Sequence, residues 1–368
     1  MLCRLLAVPL LVLVALPSLA LAEAPHITAN VEVYNEPGRF AGWPANNGIW
    51  NWGDEIVVGF SLGFHQEKES GHTIDRDRPS GAMQARSVDG GLSWEIETPS
   101  YVTDPGQERA VTTLSSPLDF TAEGFAARFR GNRFYYSLDR CHTWQGPFEL
   151  PTFGRPKLLA RTDYIVEGPG QLTAFIAAAK DNGDEGQPLC IRTTDGGVSW
   201  QLVGWIGPCP PESYGYAIMP ATVALNDDAY LSMIRRAGVF DGEQRRWIEA
   251  FLSPDRGRSW YLLERPHVVN SGNPPTLTRL DDDRLVLVYG WRRPPYGIRA
   301  CISPDNGQTW GDEFILRDDG RCWDLGYPRT VRRGDGQLVT VYYFNDDSQL
   351  ERFIAATIWD PTKAVSVD

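Results

Sequence analysis

Short stretches in which apolar and polar residues alternate recur along the chain, each about six residues long. Clear examples are residues 55–60, 172–177, 229–234 and 284–289, and the last covers residues 337–343. A period of two places the apolar side chains on one face of a strand. The chain also contains 36 Gly and 27 Pro, and both residue types favour turns. The pattern predicts an all-β protein built from short antiparallel strands.

One eight-residue motif occurs five times between these stretches. It has the form S-x-D-x-G-x-[TS]-W, with Thr first in one copy and Cys141 in place of Gly in another. The copies are residues 87–94, 137–144, 193–200, 253–260 and 303–310. The Asp side chain can accept hydrogen bonds from backbone N–H groups ahead of it, and Gly permits a left-handed backbone. The motif therefore predicts five tight turns, and the turn with Cys141 should be strained or differently shaped.

The spacing of the motif predicts the architecture. Successive copies start 50, 56, 60 and 50 residues apart, which is the size of one propeller blade. Each unit holds four predicted antiparallel strands, and a sixth unit without the motif follows at residues 327–359. The run 27–34 has no hairpin partner nearby, and we expect it to close the ring because an exposed strand edge promotes aggregation. The sequence predicts a single six-bladed β-propeller over residues 23–368, with residues 27–34 in the same sheet as residues 337–359.

The first 22 residues indicate export. Residues 5–21 are almost wholly apolar, Arg4 precedes them, and residues 20–22 fit a small-x-small cleavage site, as in a signal peptide. The alternative is an uncleaved membrane anchor. We expect a secreted or periplasmic protein with no membrane span after cleavage.

Charge and cysteine content restrict the possible partners. The formal net charge of −12 argues against binding to nucleic acid or to an anionic membrane, because both need basic surfaces. Five cysteines follow the predicted signal peptide, and an odd number leaves at least one unpaired. Metal-binding spacings such as C-x-x-C are absent from the sequence. We expect a monomer without metal or cofactor.

The five motifs resemble the Asp-box repeats, or BNR repeats, of the sialidase (neuraminidase) superfamily. The resemblance implies an exo-glycosidase that removes a terminal sialic acid or a related acidic sugar from a glycan or glycoconjugate. It also implies a site at the propeller centre, where three Arg bind the substrate carboxylate, an Asp is the acid/base and a Tyr is the nucleophile. In the family a Glu activates this Tyr.

The resemblance assigns these roles to residues of this chain. The carboxylate clamp falls on Arg39, Arg235 and Arg293, with the neighbours Arg236 and Arg292 as alternatives. The acid/base falls on Asp75 or Asp77, with Asp75 preferred, and the nucleophile falls on Tyr327. Three guanidiniums suit a carboxylate, and a neutral Tyr oxygen suits attack on an anionic sugar.

One departure from the family concerns the Glu that activates the Tyr. Met219 or Pro220 occupies its place, and Glu212 or Asp324 is a possible substitute. Three hypotheses follow: a sialidase-type hydrolase, a hydrolase or lyase for a different acidic sugar, and a glycan-binding propeller without catalysis.

Overall fold

The structure is a computed structural model that describes residues 24–102, 109–263, 268–269 and 272–365. The predicted signal peptide lies outside these residues. They contain twenty-five strands and one four-residue helix, α1 (Pro44–Asn47). In chain order the strands are β1 (Ala24–Tyr34), β2 (Arg39–Gly42), β3 (Ile49–Trp52), β4 (Glu55–Phe64), β5 (Gly81–Ser87), β6 (Glu95–Glu97), β7 (Ala126–Arg130), β8 (Arg133–Ser137), β9 (Gln145–Glu149), β10 (Tyr164–Gly168), β11 (Gln171–Ala179), β12 (Glu185–Thr193), β13 (Gln201–Trp205), β14 (Tyr216–Ala224), β15 (Tyr230–Phe240), β16 (Glu243–Ser253), β17 (Tyr261–Leu262), β18 (Val268–Val269), β19 (Pro275–Arg279), β20 (Leu285–Trp291), β21 (Tyr296–Ser303), β22 (Phe314–Gly320), β23 (Gly326–Arg332), β24 (Leu338–Asp346) and β25 (Gln349–Val365). In this part of the chain, none of the helical structure is long and apolar enough to cross a membrane.

Most of the strands pair antiparallel with strands that lie next to them in the sequence. Three of the sheets are β10–β13, β14–β17 with β18 added to β16, and β19–β22, and a smaller sheet holds β7–β9. The first strands of successive sheets meet near the axis, where Thr330 N in β23 donates to Thr276 Oγ1 in β19 at 3.2 Å. This arrangement confirms the all-β propeller.

The predicted number of six separate four-stranded blades is wrong. Hydrogen bonding divides the described strands into five sheets, of which four hold at least four strands. The largest has nine strands, because β2 pairs in parallel with β25 at Phe40 and Arg352. This single pair joins β23–β25 to the sheet of β2, β4, β5 and β6. The sequence predicts these two groups as separate blades.

The N-terminal strand closes the ring as predicted. β1 runs antiparallel to β25, pairing Ile27 with Trp359 and Val31 with Ala356. It covers the outer edge of the sheet that contains β23 and β24. The predicted pairing of residues 27–34 with the last unit is therefore confirmed.

The repeated motif forms the turns predicted for it. Asp89 Oδ1 accepts a hydrogen bond from Ser93 N at 2.9 Å, and the other four copies repeat this bond. Cys141 adopts φ 68° and its N–H still donates to Ser137 Oγ at 2.9 Å. The turn is therefore strained, because a non-Gly residue in the left-handed region costs energy. It nevertheless has the same shape as the other four turns.

The core lies between the faces of neighbouring sheets, and motif tryptophans fill part of it. Trp144 is 1% exposed and its ring centre lies 5.2 Å from that of Trp50. Trp200 packs between the sheets of β7–β9 and β10–β13. Buried rings of this size contribute about 2–3 kcal/mol each. The five cysteines of the described residues are all free thiols.

Candidate active site

The candidate site lies at one end of the propeller axis. The first strand of each sheet begins at this end, and the second strand of each sheet ends there. Tyr327 stands at the beginning of β23, Arg235 lies in the middle of the long strand β15, and Arg292 directly follows β20. Residues distant in the sequence are therefore brought together where the sheets converge.

Two residues near the site, Met219 and Tyr327, have an unusual backbone conformation. Met219 and Tyr327 have φ of 54° and 50°, and each lies at a register irregularity of its strand. Such conformations cost about 1–3 kcal/mol for a non-Gly residue and persist only when the surroundings impose them. Here the buried Asn273 imposes one of them, since its Oδ1 accepts from Tyr327 N at 2.7 Å and its Nδ2 donates to the Leu325 carbonyl at 3.0 Å.

Two guanidinium groups surround the Tyr327 side chain. Arg235 Nη1 donates to Tyr327 Oη at 3.3 Å. The guanidinium carbon of Arg292 lies 5.4 Å from the centre of the Tyr327 ring, and its Nη2 donates to Tyr343 Oη at 2.7 Å. Burial opposes the charge of Arg235, but the phenol groups of Tyr327 and Tyr216 outweigh it and raise the pKa of Arg235. The site therefore holds permanent positive charge beside a phenol.

The remaining arginines of the predicted clamp lie elsewhere. Arg39 Nε donates to the Gly63 carbonyl at 2.9 Å, and Arg236 forms an ion pair with Glu249 at 2.8 Å. Arg293 is exposed. The structure thus brings Arg235 and Arg292 to Tyr327, and no described contact brings Arg39 or Arg293 there.

A histidine that the sequence analysis did not single out lies beside Tyr327. His72 belongs to the segment between β4 and β5, and its ring centre is 6.2 Å from that of Tyr327. Its Nδ1 lies 2.5 Å from Asp324 Oδ1. The sequence did contain an indication of this residue, because His72 lies only three residues before the candidate acid/base Asp75 and histidine is a common acid/base in proteins.

Asp324 is a buried and fully hydrogen-bonded carboxylate. It is 1% exposed and accepts hydrogen bonds from Thr73 N at 3.1 Å, Tyr343 Oη at 2.7 Å and Arg352 Nε at 3.2 Å. Burial opposes its ionisation, but the hydrogen bond from His72 and the nearby charges hold the pKa of Asp324 well below its ordinary value. Its ionisable partners include His72 and Arg352, and no described hydrogen bond joins it to Tyr327.

The other acidic candidates make few contacts. Asp75 Oδ1 accepts from the backbone N–H of Asp77 at 3.0 Å, and Glu212 is exposed. Among the described residues, no hydrogen bond joins any of these three carboxylates to Tyr327. Their roles as acid, base or activator stay predictions.

A polar cavity of about 230 Å³ opens beside this cluster. Its lining consists of Trp43, Asn46, Asn47, Ser61, Ser80, Gly81, Ala82, Arg130 and Arg161. Trp43 also contacts His72, with ring centres 5.2 Å apart. Arg161 Nε donates to Asn46 Oδ1 at 2.8 Å, and burial lowers the pKa of Arg161. Amide, hydroxyl and guanidinium groups around one cavity suit a ligand rich in oxygen atoms.

Metal chemistry has no obvious site in the described ranges. No group of three or more His, Cys, Asp or Glu side chains there is arranged to hold a metal ion. The side chains near Tyr327 offer the chemistry of a phenol, an imidazole–carboxylate pair and guanidiniums.

Comparison with known proteins places this architecture among BNR-type propellers. The family model of the BNR repeat-like domain matches residues 118–340. None of the curated proteins matches the chain significantly. Among solved structures, a protein of unknown function from Dyadobacter fermentans has a TM-score of 0.65 at 21% identity, covering 92% of this chain and 99% of that one.

Two glycosidases share the fold at lower identity. The α-L-arabinanase of Penicillium chrysogenum, solved with arabinobiose, has a TM-score of 0.61 at 13% identity and covers 93% of this chain and 100% of its own. A sialidase from Trypanosoma rangeli has a TM-score of 0.51 at 12% identity, covering 91% of this chain and 58% of that one. At these identities the likeness concerns the fold alone.

Proposed function

We propose that this chain, which belongs to the family of BNR repeat-like domains, is a glycoside hydrolase that acts on a sugar bearing a carboxylate. The family membership confirms the resemblance to the sialidase superfamily that the five motifs indicated. The choice of sialic acid or another acidic sugar is part of the proposal. So are export of the chain, its action as a monomer and a glycan as its partner.

The hydrogen bond from Arg235 to Tyr327, with Arg292 on the same ring, carries the proposal. Two guanidiniums on one ring concentrate positive charge, and a bound carboxylate offsets this charge through charge-assisted hydrogen bonds. A substrate held in this way brings its anomeric carbon near Tyr327 Oη. Attack by the phenol oxygen forms a glycosyl–Tyr327 bond, an acid protonates the leaving oxygen, and water then hydrolyses the bond with retention.

A neutral sugar is the second candidate substrate. The cavity beside Trp43 is lined by Asn46, Asn47, Ser61 and Ser80, whose amides and hydroxyls suit sugar hydroxyl groups. Arabinobiose is neutral and occupies the arabinanase that shares this fold. This candidate predicts that the arginines at Tyr327 bind hydroxyl groups rather than a carboxylate.

A panel of fluorogenic glycosides tests the proposal. It contains a sialoside, a glucuronide, a galacturonide and an α-L-arabinofuranoside. We expect release of the fluorophore from an acidic glycoside and not from the arabinofuranoside. Tyr327→Phe should reduce kcat/KM about 10²–10⁴-fold, since it removes the attacking oxygen. Arg235→Lys should raise KM, because Lys lacks the planar fork of Arg.

Arg284→Lys is the matched control. Arg284 precedes β20 at the end opposite to Arg292 and pairs with Asp282, so this variant should keep its activity. Cleavage of the arabinofuranoside alone would establish the second candidate instead. Binding of acidic glycans without cleavage of any would show a binding propeller.

A further inference from the structure

We propose that His72, oriented by Asp324, is the base that takes the phenolic proton of Tyr327. This inference rests on the proposed function, since it supplies the activation that Tyr327 needs for attack. In the superfamily a carboxylate does this work, and here Met219 or Pro220 occupies that place. The structure instead places an imidazole beside the phenol.

Asp324 fixes the protonation pattern of His72. Its carboxylate is ionised and buried, and it lies 2.5 Å from His72 Nδ1. A carboxylate only accepts hydrogen bonds, so Nδ1 carries the hydrogen and the neutral ring keeps its lone pair on Nε2. The same carboxylate stabilises the imidazolium that forms when Nε2 takes a proton, as in a His–Asp pair of a hydrolase.

Asp324 does not require His72 as a hydrogen-bond donor. Thr73, Tyr343 and Arg352 already donate to its two oxygens. His72 keeps 22% of its side-chain surface exposed, and no described residue forms a hydrogen bond with its Nε2. A histidine with only a structural role usually has both nitrogens satisfied.

Aromatic rings hold the imidazole at the mouth of the site. The ring centres of Trp43 and Trp323 lie 5.2 and 5.7 Å from that of His72, and the Tyr327 ring lies 6.2 Å away at an interplanar angle of 83°. Trp43 also lines the polar cavity. His72 therefore stands between the cavity and the phenol.

The charged and titratable groups around His72 come from several elements. Asp324 and Tyr327 come from the segment around the start of β23, Tyr343 from β24 and Arg352 from β25. Arg292, after β20, reaches this group through its hydrogen bond to Tyr343. Among the described residues, Asp324 supplies the negative charge that pairs with the imidazole.

The proton transfer balances with the proposed reaction. As Tyr327 Oη attacks the anomeric carbon, its proton passes to His72 Nε2, directly or through one water. The bond to the leaving oxygen breaks, and an acid, for which Asp75 remains the prediction, protonates that oxygen. Water then attacks the anomeric carbon and gives its proton to the same acid/base. His72 returns its proton to Tyr327 Oη as the glycosyl–Tyr327 bond breaks.

Substitution of His72 with imidazole rescue tests the proposal. On whichever glycoside is cleaved, His72→Ala should lose at least about 10²-fold in kcat/KM. The acidic limb of its pH–rate profile should disappear, and added imidazole should restore part of the rate. Asp324→Asn should reduce the rate and change the pH of that limb. His65→Gln is the matched control, because His65 lies on the same segment beside Glu67 and should keep the profile.

The outcomes separate this proposal from the proposed function. A cleaved glycoside together with an unchanged pH profile and no rescue in His72→Ala would overturn the role of His72 and leave the glycosidase intact. If no glycoside is cleaved, ¹⁵N NMR of labelled histidine decides. In the neutral ring, hydrogen on Nδ1 with the lone pair on Nε2 supports the pair, and hydrogen on Nε2 overturns it.

Discussion

A buried carboxyl near the propeller axis should make stability fall as pH rises. Asp163 precedes β10 in a cavity of about 320 Å³ that Arg329 also lines. Thr222 forms hydrogen bonds with the carboxyl group, but the described residues leave Asp163 Oδ2 without a partner. Burial outweighs the attraction of Arg329 and raises the pKa of Asp163 to about 7. The substitution Asp163→Asn removes this titration and keeps an acceptor for Thr222.

The sign and size of the effect follow from the two pKa values. An unfolded Asp loses its proton near 3.8, whereas folded Asp163 holds it to about 7. The folded state therefore binds more protons between these values, and its stability falls as pH rises through this window. A difference of about 3 units corresponds to about 4 kcal/mol above pH 7, as an upper value. Below pH 4 the wild type and Asp163→Asn should be almost equally stable.

Denaturant unfolding followed by Trp fluorescence from pH 4 to pH 8 measures this difference. We expect Asp163→Asn to gain stability over the wild type progressively from pH 4 to pH 7 and then to stay level. Thr222→Val removes a donor to the carboxylate, so its loss of stability should continue to a higher pH. A stability difference between wild type and Asp163→Asn that is the same at pH 4 and pH 8 would refute the reasoning.

Two further predictions concern the packing of the propeller away from the site. Gly307 has φ 85° and an added Cβ would lie 2.4 Å from the buried side chain of Leu231, so Gly307→Ala should cost about 2–4 kcal/mol. Gly53→Ala, with φ 69° and open space, should cost only about 1 kcal/mol in thermal unfolding, and equal losses would contradict the steric argument. Arg86 is 6% exposed and pairs with two carboxylates, so Arg86→Met should cost about 3–5 kcal/mol. Arg140→Met, at a more exposed ion pair, should cost much less. A larger loss of stability in Arg140→Met than in Arg86→Met would contradict the argument from burial.

Local interactions explain which parts of the fold could be predicted from the sequence. Each motif turn is closed by bonds within eight residues, such as Gly91 N to Ser87 Oγ at 2.8 Å, so its residues alone indicate it. The pairing of β1 with β25 followed from a general argument about open edges. The number of separate sheets depends on the Phe40–Arg352 pair between distant segments. Nothing in the local pattern of either segment indicates that contact.

The site was harder to predict because its residues stand where strands begin and end. The resemblance favours Arg293, but β20 ends at Trp291 and the neighbouring Arg292 is the residue that lies at Tyr327. The register irregularities at Met219 and Tyr327 break the period of two in the same way. His72 and Asp324 are 252 residues apart. Only the folded ring brings them together.

The motif turns and the strained backbone at Tyr327 are stabilised by different kinds of contact. The motif turns are held by several short-range hydrogen bonds each, and they do not depend on the arrangement at the opposite end of the strands. The strained backbone of Tyr327 depends instead on Asn273, which lies just before β19 of the neighbouring sheet. A chain that holds its outer turns locally can maintain about 1–3 kcal/mol of strain at its centre. The position of the Tyr327 phenol should therefore respond to changes at the interface between β19 and β23 more than to changes in the motif turns.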